Sequence, residues 1–233
     1  MPNEAVLERF FETLISGDRP AARSLVLASL AQVSDPRDLI GELFWPAYEN
    51  MEKLYRSDQL TKLAHHCGSR LLRVLVDQNS ANYKFGPSLG RSVLAFSGPK
   101  DADELGAQMA VDMLEAAGYE MTFAGGGIPN DEIMSRVHEQ KPDVLLLFAS
   151  GPSDLPQIRE LIDTIREISA CPDLQVVVGG GVFNRADGLA EEIGADLWSS
   201  NPLELVEAMG SESQRRAAED QRTVGRKRRR KAA

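Results

Sequence analysis

Three groups of side chains in this 233-residue chain have types and spacings suited to chemistry. Asp101, Asp103 and Glu104 cluster just after the apolar run Ser92–Ser97, with Gly106 closing the segment. Carboxylates at such a place either gather around a cation or cap a helix, accepting N–H bonds at the positive end of its dipole. His65 and His66 are adjacent within a helically periodic stretch, and imidazole is a natural transition-metal ligand. Neighbours on a helix point about 100° apart, so one of the two at most faces any given ligand. Gly179-Gly180-Gly181 follows the apolar run 174–178. These glycines either admit a ligand close to the backbone or make the tight turn that a strand-to-helix connection needs. They are not a G-x-G-x-x-G fingerprint, which belongs after the first strand. Residues 125–127, another glycine triplet, read as a loop, and His138 lies in a polar, solvated stretch.

These groups must be positioned by two kinds of segment. Residues 1–80 carry four helical patterns: Leu7 to Ile15; Ala22 to Leu30; Leu39 to Tyr55 with a kink or restart at Pro46; and 59–76, with Leu60, Leu63, Cys67, Leu71, Val74 and Leu75 on one face. Four such helices make a small bundle. Residues 81–90 are rich in turn formers and read as a linker. From 91 to 210 five short apolar runs (92–97, 120–124, 144–149, 174–178, 196–198) alternate with helical patterns at 107–117, 131–139, 155–168, 185–193 and 202–209. That alternation predicts an α/β fold, a five-stranded parallel flavodoxin-like doubly wound sheet with ligands at the strands' carboxyl ends. Residues 211–233 hold too few apolar side chains to bury and are expected to form a basic, disordered tail.

Composition narrows the function further. The net charge is -9, but the tail alone carries nine basic and three acidic residues, so the rest of the chain is strongly acidic. Nucleic acid is therefore expected to bind only through the basic tail, where 226–231 reads RKRRRK. Mean hydropathy is -0.26 and no long apolar run or leader is visible, so a cytoplasmic protein without membrane contact is expected. Two cysteines without C-x-x-C spacing fit a reducing compartment. A receiver domain would need an aspartate at the end of the third strand, where the chain reads Phe148-Ala149-Ser150-Gly151. No nucleophile elbow, Walker loop or Cys/His pairing points to catalysis.

The order of segments from about residue 5 to 210 resembles the cobalamin (vitamin B12)-binding module family, a four-helix cap followed by a flavodoxin-like domain. This family includes methionine synthase, corrinoid proteins and cobalamin- or heme-sensing bacterial regulators. Asp101-Ala-Asp103-Glu-Leu-Gly106 falls on the family's D-x-H-x-x-G loop, with Asp103 in place of the histidine. Pro142-Asp143-Val144, Gly179-Gly180 and Gly194-Ala195-Asp196 match the starts or ends of its third, fourth and fifth strands. In the cap, Tyr55, nine residues, then His65-His66 matches a Trp-x9-Glu-His pattern. The resemblance implies a corrinoid or related tetrapyrrole between cap and sheet, cobalamin first and heme or none as alternatives. Tyr55 and His66 would lie at its upper face, with His66 as metal ligand, and Asp101, Asp103 and Gly106 at the lower loop. Gly179 and Gly180 would lie beside the nucleotide tail. Phe148 occupies the place of a serine that lines the family's nucleotide slot, with Ser150 two residues on.

The expected function is a non-enzymatic sensory or regulatory protein that binds this ligand and passes its occupancy to a protein partner. A cofactor-free interaction protein on the same scaffold is the second reading, and a corrinoid methyl-transfer shuttle the third.

Overall fold

The computed structural model describes residues 4–168 and 171–217. Helices α1 (Glu4–Ser16), α2 (Arg19–Leu30), α3 (Trp45–Arg56) and α4 (Lys62–Ser80) come first. Asp18 caps α2 by accepting from the Ala21 N–H, and Thr61 caps α4 by accepting from Ala64. Pro46 restarts the third helical pattern. The preceding turn, Ile40–Phe44, widens so that the Trp45 N–H reaches the Ile40 carbonyl, five residues back. On α4 the buried face carries Leu71, Leu72, Leu75 and Val76, whereas Leu63 is 76% exposed. The predicted stripe is thus displaced at its start, because the helix begins only at Lys62 and its buried face there carries His65 in place of Leu63.

Strands β1 (Ser92–Ser97), β2 (Glu120–Gly126), β3 (Val144–Phe148), β4 (Gln175–Gly179) and β5 (Leu197–Trp198) form one parallel sheet in the order β2-β1-β3-β4-β5. Helices α5 (Asp101–Ala116), α6 (Asn130–Gln140), α7 (Leu155–Ile168), α8 (Leu189–Glu192) and α9 (Pro202–Ser211) connect and cover it. α5 starts six residues before its apolar pattern does, since its first turn carries carboxylates and the pattern registers only apolar residues, although Asp103 there is buried. The helix expected at 185–193 shrinks to a 3-10 turn, Phe183–Arg185, and the single turn α8; Gly188, at φ +77°, breaks it between them.

α5 is the hinge of the architecture. Leu105, Met109 and Met113, one turn apart, join the helical core of Phe10, Leu14, Phe44, Met51, Leu72 and Leu75. Ala107, Ala110, Val111 and Leu114 pack instead on the sheet with Val93, Leu146, Phe148 and Val177. The first turn of α5 therefore lies where bundle and sheet meet. Strand order reverses between β1 and β3, the winding running outward from β1 to β2 on one side and from β3 to β5 on the other, which is the topological switch point at which such sheets bind ligands.

The aspartates of the Pro142-Asp143 and Gly194-Ala195-Asp196 signatures work at the opposite, amino end. Asp143 accepts from the Ser92 N–H at 2.8 Å and the Ser92 hydroxyl at 2.9 Å, bonds that hold its carboxyl below the usual range. Asp196, with no exposed side-chain surface, accepts from Val176 N–H, Arg166 and Ala217 N–H, each at 2.7 Å. Residues 212–217 dock there too: Gln175 donates to the carbonyls of Glu212 and Arg215, and Arg216 donates to that of Asp173. The start of the expected disordered tail is thus ordered, because backbone groups rather than apolar side chains anchor it. The basic run 226–231 lies outside the described residues.

Candidate functional site

The register of the sheet aligns Ser97 with Phe148 and Phe148 with Gly179, so three strand ends form one row. From β1 the chain turns into α5, and Asp103 becomes the third residue of the helix, 3% exposed. Neither of its carboxylate oxygens meets a partner at hydrogen-bond geometry. Burial pushes this carboxyl above its usual range; Asp154 adds to the rise, while the nearby Ser150 hydroxyl and Lys100 oppose it. A Cβ on Gly98 would stand 2.4 Å from Asp103 Oδ2, so only glycine leaves room for the acid there. Asp101 opens α5, but its side chain lies outside those described. Glu104 reaches across to α4, accepting from Arg73 Nη2 at 3.3 Å. Gly106 faces α3: a Cβ would come within 3.0 Å of the Tyr48 hydroxyl, so the missing side chain lets the two helices approach.

The bundle contributes a polar face of α3. Tyr48, Glu52 and Arg56 follow at helical spacing, and Tyr48 and Glu52 are buried. Burial, then Glu52 and Asp103, push the Tyr48 hydroxyl far up. Glu52 Oε1 lies 2.5 Å from His65 Nε2, and Glu52 Oε2 lies 3.9 Å from Arg56. Tyr55 stacks on His65 with ring centres 4.0 Å apart and planes 17° from parallel. His65 Nδ1 is buried with no partner. The spacing thus brings Tyr55 to His65, while His66 is exposed, its ring 6.0 Å from that of His65 and at 72° to it. Both histidines, with Ser69, Arg70 and Arg73, line a depression of about 40 Å³ on α4. Since Arg73 also holds Glu104, this face of α4 borders the first turn of α5.

The loop after β4 closes the third side. Arg185 Nη2 donates to the Ser150 carbonyl at 2.5 Å. Burial, then Arg56, lower the pKa of Arg185, while Tyr48 and Glu52 raise it, so its guanidinium acts within electrostatic reach of the α3 face. Phe148, 7% exposed, packs under α5 and α9 with Leu205 and Met209. A Cβ on Gly179 would stand 2.8 Å from that ring, and one on Gly180 only 2.2 Å from the Ala149 carbonyl oxygen. Tyr48, Glu52, Arg56 and Arg185 escaped the motif search. The first three share a helix face that could have been read as a polar stripe; no local signal places Arg185 beside them.

Residues 91–207, half of the chain, match the B12 binding domain family. The chain belongs to that family. Dimethylamine corrinoid protein 1 of Methanosarcina acetivorans is 26% identical over 166 residues, covering 71% of this chain and 70% of the relative. Dimethylamine corrinoid protein 2 of Methanosarcina mazei is 23% identical over 220 residues, covering 87% and 94%. The structure of the Methanosarcina barkeri monomethylamine corrinoid protein superposes with a TM-score of 0.68 at 15% identity, covering 88% of this chain and 97% of that one, and so shares the fold. This B12-binding chain is a corrinoid-binding protein with cobalamin as its cofactor. No described helix is long and apolar enough to cross a membrane.

The residues fit such a ligand on one side only. Asp103 and His65 each keep a buried polar atom without a partner, which donors or acceptors on a corrinoid's peripheral amides would satisfy. The loop supplies no imidazole, however, and the Phe148 ring stands where a nucleotide tail would enter beside Gly179. An inserted tail does not fit these side chains.

Proposed function

We propose that this B12-binding chain is a corrinoid carrier that presents its ligand to a methyl-transferring protein partner. In this reading residues 1–80 act as a cap and 91–210 as the binding unit, joined by the linker 81–90. Tyr48, Glu52, Arg56 and His66 meet the ligand from above, and Asp103, Ser150 and Arg185 from below. The observation that carries the reading is the convergence of cap and strand ends on the first turn of α5: Gly106 lies against the Tyr48 hydroxyl, Arg73 of α4 holds Glu104, and Arg185 holds the Ser150 carbonyl beyond β3. The relatives named above, dimethylamine corrinoid proteins, favour a carrier over the sensor expected first; neither is named for sensing or regulation. A bound corrinoid would supply a cobalt centre able to accept and release a methyl group. The chain's own part is to hold the macrocycle, to neutralise its surroundings and to exclude water.

A carrier must keep its ligand whether loaded or unloaded, whereas a sensor needs affinities that differ between two states. Titration of the full chain with methylcobalamin and aquacobalamin, read by visible absorption, is expected to give one corrinoid per chain. The two affinities are expected to lie within about tenfold of each other. A chain that stays colourless in excess of both ligands overturns the carrier reading, and a ratio above about a hundredfold returns it to a sensor.

The adjacent histidines separate in the same assay. His66→Ala, at an exposed position, is expected to leave stability within about 0.5 kcal/mol while lowering corrinoid affinity about tenfold. His65→Ala strands the buried Glu52 carboxyl and is expected to cost about 1–3 kcal/mol in thermal or urea unfolding.

A further inference from the structure

The slot that would receive a nucleotide tail is filled by the chain itself, and this has a consequence for ligand choice. Phe148 is not a mobile gate: it is 7% exposed and belongs to the apolar layer between the sheet and helices α5 and α9, with Ala107, Leu197, Leu205 and Met209. Its ring occupies the space above Gly179, where ring carbons would stand 2.8 and 3.1 Å from an added Cβ. The next glycine is equally accounted for without a ligand. Gly180, at φ +104°, lies so close to Ala149 that an added Cβ would be 2.2 Å from its carbonyl oxygen, and the Gly179 carbonyl accepts from the Ala149 N–H at 3.0 Å. Both glycines are therefore required by the neighbouring strand, whether or not a ligand approaches. After β1, where the family's loop would supply an imidazole, the first turn of α5 holds the carboxyl of Asp103, packed under Gly98. A carboxylate is a hard oxygen donor and does not replace imidazole at a cobalt axial position.

We infer that this chain takes corrinoids with the nucleotide arm left outside the sheet, so that it recognises the corrin ring and its amides and is indifferent to the arm. Phe148 and Asp103 are the residues that set this selectivity, and the inference rests on the corrinoid-carrier reading. It predicts a broad ligand class: complete cobamides and arm-less corrinoids alike. It also predicts that a group attached at the nucleotide ribose does not obstruct binding.

The decisive experiment titrates the full chain with cobalamin, with cobinamide and with cobalamin carrying a fluorophore on the ribose 5′-hydroxyl. The three affinities are expected to agree within about threefold. Cobinamide weaker than cobalamin by about a hundredfold, or rejection of the ribose conjugate, overturns the inference and leaves the carrier reading intact. Failure of all three to bind overturns the carrier reading, and the inference with it. The two residues are tested by combining Phe148→Ser with Asp103→His. The double variant is expected to prefer cobalamin over cobinamide by about tenfold or more. A folded double variant that keeps the parent's indifference overturns the assignment to these side chains. Where opening the layer unfolds the protein, the comparison of ligands on the natural chain decides the matter alone.

Discussion

Gly180→Ala is expected to lose about 3 kcal/mol or more of stability, the largest effect of any single methyl group in the site. Two costs act together. The residue sits at φ +104°, where an L side chain is strained by about 1–3 kcal/mol. The new Cβ would also stand 2.2 Å from the Ala149 carbonyl oxygen and 3.0 Å from the Ala149 N, both rigid backbone atoms in the row of strand ends. For a chain of this length the loss corresponds to a fall in Tm of about 10 °C, measured by thermal unfolding beside the parent. Gly181→Ala is the internal control. Its Cβ would meet only the Arg185 Nη1 atom, at 2.9 Å, and a flexible guanidinium can yield. We expect a change within about 1 kcal/mol there. Equal tolerance at both positions would contradict the close approach of the loop to β3.

Asp112→Asn is expected to stabilise the protein in neutral buffer and to leave it unchanged in acid. Asp112 lies on α5, 7% exposed, with one oxygen accepting from Gln108 Nε2 at 2.5 Å and the other buried without a partner. Burial, reinforced by Asp77 on α4 and Glu115 on its own helix, pushes its pKa up to about 6. A carboxyl whose folded value is raised holds its proton more tightly when folded than when unfolded. Its contribution is thus complete below the ordinary carboxylate range and is lost as pH climbs through about 6. A rise of about two units corresponds to roughly 3 kcal/mol, of which an amide with an imperfectly paired NH₂ group recovers about 2. The Tm difference between variant and parent is therefore expected to be near zero at about pH 4 and about 4–8 °C at pH 7.5. A difference that is flat with pH would show that Asp112 does not titrate in this window.

Much of the fold was legible beforehand, for a physical reason that particular elements make plain. β1 and α7 were bounded to the residue, and β3 and β4 to within one, because alternation and apolar runs report burial, which is what a central strand experiences on both faces. Errors fell where burial and structure part company. The acidic first turn of α5 carries no apolar signal, Leu63 is apolar yet exposed, and Gly188 interrupts an otherwise helical pattern. Of the candidate site, Asp103, Gly106, Phe148, Gly179 and Gly180 were named by position, and the structure places them about the strand ends and the first turn of α5.

By itself the sequence determined the class of fold, the order of its layers and the end of the sheet where a ligand would lie, since these follow from local periodicity and from the rules of parallel crossovers. It also marked the missing imidazole, which is a matter of residue identity alone. Only the tertiary structure decided that Tyr55 stacks on His65 and not His66, that Glu52 is the partner of that ring, and that Arg185 holds the Ser150 carbonyl. It alone decided, too, that Phe148 turns into the layer beneath α5 and lies over Gly179. Such choices depend on rotamers and on contacts between elements far apart in the chain. Periodicity within one element holds no information about them.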